Sequence, residues 1–194
     1  MIEVEEKFEL TEGALEQIKK ICQFLREEKL HNKYFDYSDN RLFLSDIWLR
    51  DRNGKLELKY PVHKNGYFNY KEYNNPEEIF EKLNINHEKR KGWQETLKNN
   101  GLNVVIDYKD VRQKYKCEDF NIDVDITDFG HSLFEIEVMV VNESRIKEAE
   151  ERIFDFLKRY NIDTQQTPNG KNVVYLKKFL PELYKKLKEK GIVR

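Results

Sequence analysis

The chain has 194 residues, 39% of them hydrophobic, with 35 basic and 36 acidic side chains. That length allows one substantial core, and the near-cancelling charge excludes a field of one sign that would draw the protein to nucleic acid or to an anionic membrane. The two cysteines, Cys22 and Cys117, stand far apart without metal-ligand spacing, so neither a disulfide framework nor a zinc site is indicated.

Acids among Met1 to Glu5 stand where a secretory signal carries bases, and no apolar run approaches the roughly 18–20 residues of a membrane span. The expectation is a cytoplasmic, monomeric protein of one domain, residues 1–194, with neither nucleic acid nor membrane as a partner.

In chain order, Ile2 to Leu10 alternates as a strand with Glu3, Glu5, Lys7 and Glu9 on one side and Ile2, Val4, Phe8 and Leu10 on the other. Leu15, Ile18, Cys22 and Leu25 then recur at helical spacing and predict an amphipathic helix from Glu12 to Leu30. Tyr34 to Tyr37 reads as extended, and Asn40 to Asp46 as a loop or a short helical turn. Trp48 to Arg52 and Lys55 to Tyr60 flank Asn53-Gly54, a dipeptide suited to a tight hairpin.

Gly66 to Tyr73 predicts a strand, Pro76 opens a helix through Leu83, and Glu88 to Lys98 predicts another that stops at Asn99-Asn100-Gly101. Leu102 to Tyr108, Val111 to Lys116 and Phe120 to Thr127 read as three strands, and Asp128-Phe129-Gly130 turns the chain into a fourth from His131 to Val141. An amphipathic helix from Glu143 to Tyr160, a polar loop from Asp163 to Gly170, a short strand and a helix from Leu180 to Lys188 complete the reading.

The polar phase of these strands collects Glu3, Glu5 and Lys7; Arg50 and Arg52; Glu57 and Lys59; Arg112 and Lys114; Asp123 and Asp125; Glu135 and Glu137. Residues two apart on a strand project to one face at roughly 6–7 Å, so like charges stand side by side. One strand at a time, this is what the solvated face of an ordinary antiparallel sheet displays. If the sheet closes with its apolar face outward under helices, the same charges line an interior. Clustered carboxylates there suit a hard cation such as magnesium, and clustered Arg and Lys suit phosphates.

The opening Glu3-Val4-Glu5-Glu6-Lys7 resembles the ExExK signature of the CYTH superfamily, the triphosphate tunnel metalloenzymes. Arg50-Asp51-Arg52 and Glu57-Leu58-Lys59 resemble the family's RxR and ELK pair, in the form that thiamine triphosphate hydrolases carry. Val111-Arg112, Asp123-Val124-Asp125, Glu135-Ile136-Glu137 and the segment from Lys171 to Tyr175 resemble its later motifs in order. The family's Tyr-Asp-Thr segment is matched in part by Tyr34-Phe35-Asp36.

The resemblance implies an α+β fold, a closed eight-stranded antiparallel β-barrel with a charged interior and helices outside. It implies Lys7, Arg50, Arg52, Lys59, Arg112 and Lys171 as triphosphate-binding cations, and Glu3, Glu5, Asp123, Asp125, Glu135 and Glu137 as metal-side carboxylates. Trp48 and Tyr34 become aromatic contacts for a substrate ring, and Lys59 is a candidate base only if held neutral. The implied reaction is magnesium-dependent hydrolysis of thiamine triphosphate, with manganese as the alternative ion. Inorganic tripolyphosphate hydrolysis, cyclase or RNA-end chemistry, and non-catalytic polyphosphate binding stay open on this fold. No Walker A sequence or Ser, Cys and His nucleophile arrangement is present, so no covalent enzyme intermediate is expected.

Overall fold

The computed structural model describes residues 2–62, 70–87, 92–167 and 169–193. Its elements are β1 (Ile2–Glu9), α1 (Glu12–Ile21), β2 (Gln23–Asp36), β3 (Trp48–Arg52), β4 (Lys55–Pro61), β5 (Tyr70–Tyr73), α2 (Pro76–Leu83) and α3 (Trp93–Asn99), then β6 (Asn103–Cys117), β7 (Phe120–Thr127), β8 (Ser132–Val140), α4 (Ile146–Arg159), α5 (Lys171–Phe179) and α6 (Pro181–Glu189). Short 3-10 turns occupy Phe43–Ser45 and Glu143–Arg145.

The eight strands form one sheet in the order β1-β8-β7-β6-β2-β3-β4-β5. The expected closed barrel is therefore corrected to an open sheet whose end strands are β1 and β5. The outer side of β1 is already engaged: Glu9 N donates to Gln165 O and Thr167 N to Lys7 O, each at 2.9 Å, and Phe8 bridges Gln166. Backbone groups used there cannot also pair with a closing strand.

Two compact units divide the chain, Met1–Lys29 with Asp110–Val174 and Leu30–Lys109 with Tyr175–Arg194. In the first, Val4, Phe8, Ile122, Val124, Phe134, Ile136 and Val138 share the apolar strand phase and pack with Ala14 and Ile18 of α1 and Ala149, Ile153 and Phe156 of α4. Thr11 caps α1 by accepting from Ala14 N at 3.0 Å. Burying that phase leaves Glu3, Glu5, Lys7, Asp123, Asp125, Glu135 and Glu137 on the opposite face.

In the second unit, Leu49, Leu56 and Leu58 pack with Ile79 and Phe80 of α2 and Leu97 of α3. Asn53 and Gly54 both take positive φ, 52° and 83°, which closes the β3–β4 hairpin as expected. The register then sets Arg50 opposite Glu57 and Trp48 opposite Lys59. Asn75 caps α2 and Pro76 opens it.

Three expectations about single elements are corrected. The helix expected to reach Leu30 ends at Ile21, because Cys22 turns extended and β2 begins at Gln23. Phe24 and Leu25 are 52% and 46% exposed, so no core rewards helical spacing there. The two strands expected at Leu102–Tyr108 and Val111–Lys116 are one strand, β6, running through a buried Asp110. The short strand expected after Gly170 is the helix α5, started by Val173 N and Val174 N donating to Gly170 O, although its β-branched residues favour strands. Parts of two other predicted elements, residues 66–69 and 88–91, lie outside the described residues, as does His63.

Candidate active site

In the first unit, register sorts the polar face into rows. Glu5 lies opposite Glu137 and Lys7 opposite Glu135 across β1 and β8. Asp123 lies opposite Glu135 across β7 and β8, while Lys114 and Arg112 lie opposite Asp123 and Asp125 across β6 and β7. One row thus reads Lys7, Glu135, Asp123, Lys114, with acids flanked by bases.

Arg112 is the hub of this face. Its Nε and Nη2 donate to Asp125 Oδ1 and Oδ2 at 2.7 and 2.6 Å, Nη1 to Asp123 Oδ2 at 2.5 Å, and Nη2 also to Glu135 Oε2 at 2.9 Å. Lys114 adds a 2.9 Å contact to Asp123. Buried Lys171 reaches Asp110 at 2.5 Å and Asp125 at 2.8 Å. Lys7 pairs with Glu5 and lies 3.7 Å from Glu135.

The electrostatics follow from this geometry. Burial raises the Asp125 carboxyl, but the Arg112 hydrogen bonds and the Lys171 charge outweigh it and hold the group at about 2. Burial likewise works against Glu135, and the charges of Lys7 and Arg112 bring it below its ordinary value. For Asp123 and Asp110 burial wins, lifting both despite their cationic partners.

The six expected carboxylates therefore fall into two groups. Glu3, Glu5 and Glu137 each offer an oxygen within 4.8 Å of the others, a spacing that fits one cation. Asp123, Asp125 and Glu135 are drawn to Arg112, yet Asp123 Oδ1 is buried with no hydrogen-bond partner. The all-oxygen donor set of Glu3, Glu5 and Glu137 suits a hard divalent cation.

In the second unit, Arg50 donates from Nε to Glu57 Oε2 at 2.7 Å and from Nη1 to the Tyr34 hydroxyl at 3.2 Å. Burial opposes the Arg50 charge, but Tyr34 and Glu57 raise its value overall. Arg52 Nε donates to Asn32 at 3.1 Å, and Lys59 pairs with Glu72 at 2.9 Å. Trp48 is 9% exposed. Its ring lies 4.9 Å from Phe43 and meets Tyr34 edge-on, and its Nε1 donates to Asp46 at 2.8 Å.

Four participants were not singled out from the sequence. Asp110 falls between two predicted strands, although it shares the phase of Arg112 and Lys114. Asn32 shares the phase of Tyr34, so alternation could have found it too. Glu72 lies within a segment, 69–98, that carries no recognisable motif. Asp46, which accepts from both Trp48 and Tyr70, stands outside any strand and carries no periodic signal.

Known proteins bear on these charges. Thiamine-triphosphatase of Homo sapiens is 26% identical over 207 residues, spanning 97% of this chain and 90% of its own, and that of Macaca fascicularis matches equally. PH1819 of Pyrococcus horikoshii OT3 has the same fold, with a TM-score of 0.65 at 21% identity over 93% of this chain and 99% of its own. So does HpAC1 of Hippeastrum, an adenylyl cyclase candidate with a dominant triphosphatase activity, with a TM-score of 0.61 at 22% identity over 91% and 96%. The CYTH domain family matches residues 1–168, a span that holds every charged strand described above, and the chain belongs to that family.

Proposed function

We propose that this protein is a single CYTH domain over residues 1–194 that hydrolyses thiamine triphosphate to thiamine diphosphate and phosphate, acting as a cytoplasmic monomer with magnesium, or manganese in its place. The observation that carries the reading is the sorting of charge on the first unit's sheet, where Glu3, Glu5 and Glu137 converge beside a face crowded with Lys7, Arg112 and Lys171. A polyphosphate with its cation complements both signs. The similarity to human thiamine-triphosphatase across nearly the whole chain supports the choice of substrate.

In this reading Glu3, Glu5 and Glu137 hold the cation, with Asp123 aided by its unpartnered oxygen and Glu135 and Asp125 turned partly toward Arg112. When bound, the cation supplies Lewis-acid stabilisation of phosphate charge. On the first unit Lys7, Arg112 and Lys171 bind phosphate oxygens and spread the charge that develops as water attacks the terminal phosphorus, and the second unit carries its own phosphate-binding cations in Arg50, Arg52 and Lys59. The bond from that phosphorus to its bridging oxygen breaks, and thiamine diphosphate leaves. Lys59, ion-paired to Glu72, acts as a hydrogen-bond donor rather than as the base.

Inorganic tripolyphosphatase is the second reading, favoured by the burial of Trp48 between Phe43 and Tyr34, which leaves little ring face for a substrate to stack on. Phosphate release from thiamine triphosphate, tripolyphosphate and ATP, with magnesium and with chelator, separates the two. A higher kcat/KM on thiamine triphosphate supports the first reading. Preference for tripolyphosphate selects the second, and full activity in chelator removes the metal from both.

A further inference from the structure

In the second unit a carboxylate with no assigned role stands against the phosphate-binding cations. Glu72 on β5 lies directly opposite Lys59 on β4, and the two side chains meet at 2.9 Å. Partial burial pushes the Glu72 carboxyl up, and the charges of Lys59, Arg50 and Arg52 outweigh it, leaving it below its ordinary value. Glu72 therefore lies in the field of all three cations, not of Lys59 alone.

We infer that Glu72 is a positioning residue, which holds the Lys59 ammonium in place and offsets the repulsion among Lys59, Arg50 and Arg52, so that phosphate meets an ordered donor. This rests on the triphosphatase reading above. The plain alternative is an ordinary surface ion pair. With side chains 39% and 60% exposed, such a pair contributes little to fold stability, so its effect must be sought in orientation. Lysine has four rotatable carbons and no fork to fix it, unlike Arg50, which Glu57 and Tyr34 hold from two sides. Without Glu72, the neighbouring guanidinium groups would push Lys59 outward. A donor displaced by an ångström loses much of its value in the transition state.

The test is a double-mutant cycle with Glu72→Gln, Lys59→Gln and both together, alongside Glu72→Asp. Steady-state turnover of the preferred triphosphate is measured with magnesium, and tripolyphosphate affinity by calorimetry in chelator. Glu72→Gln is expected to lower kcat roughly tenfold without weakening tripolyphosphate binding, because a competing negative charge is removed along with the anchor. In the Lys59→Gln background the same change should have no further effect, and Glu72→Asp should recover part of the rate. A kcat within twofold of wild type overturns the inference, as do additive losses in the cycle or binding weakened in step with turnover. If the wild-type protein neither binds nor hydrolyses any triphosphate, the functional reading itself fails and the inference falls with it. That outcome is distinct, because it is seen before any variant is made.

Discussion

Arg112 and Asp125 face each other across β6 and β7 and join in a two-point fork, Nε to Oδ1 at 2.7 Å and Nη2 to Oδ2 at 2.6 Å. Removing the guanidinium leaves Asp123, Asp125 and Glu135 as neighbouring buried acids. Arg112→Ala should lower stability by about 3–5 kcal/mol, read from urea unfolding at neutral pH. Arg112→Lys should recover only part of this, since an ammonium cannot make the parallel pair of bonds.

The same fork sets a pH dependence. Asp125 titrates at about 2 in the folded protein against 3.8 for an ordinary aspartate, so its contribution is fully present above 3.8 and is lost as pH falls through about 2. The contribution is on the order of 2 kcal/mol. In chelator, wild type should exceed Asp125→Asn in unfolding free energy at pH 6, and the gap should shrink between about pH 4 and pH 2. A gap unchanged over that range would mean that the charge on Asp125 is not what stabilises it.

Glu137 offers an oxygen within 4.8 Å of those of Glu3 and Glu5 and is held by Asn121, whose Nδ2 donates to Oε1 at 2.9 Å. Glu137→Gln keeps the shape and removes the charge. Manganese affinity, followed by electron paramagnetic resonance, should fall by at least about tenfold, and most turnover should go with it while circular dichroism is unchanged. Wild-type manganese binding in this variant would take Glu137 out of the metal site.

Trp48 packs on Phe43 and donates to Asp46, so Trp48→Ala should cost about 3–5 kcal/mol of stability. Trp48→Phe keeps most of the packing and isolates the role toward substrate. Its kcat/KM is expected to fall more on thiamine triphosphate than on tripolyphosphate, which has no ring. Equal changes on the two substrates would assign Trp48 to structure alone.

Strand phase was legible in the sequence because alternation is local. The side of β1 that carries Glu3, Glu5 and Lys7 follows from residues two apart, and the β3–β4 hairpin from Asn53-Gly54. Register was not legible, being fixed by contacts between distant segments. It separates Glu137, opposite Glu5, from Glu135, opposite Lys7, and so divides carboxylates that the sequence alone left in one pool. Closure failed for a similar reason, because the backbone that occupies the edge of β1 comes from residues 165–167. Helix α5 shows tertiary anchoring through Lys171 overriding the strand preference of Val173 and Val174.

The segment lying along β1 also bears on how copies of the protein behave when crowded together. A bare strand edge is a template on which another chain can add its own strand, and growth of that kind leads to aggregation. From Lys7 to Glu9 that template is taken by Gln165 to Thr167, and the Thr164 hydroxyl donates to Glu9 O at 2.6 Å just beyond. A protease nick between Asp163 and Thr167 would leave the charged face of the sheet untouched while releasing this guard, opening the β1 edge to edge-to-edge association.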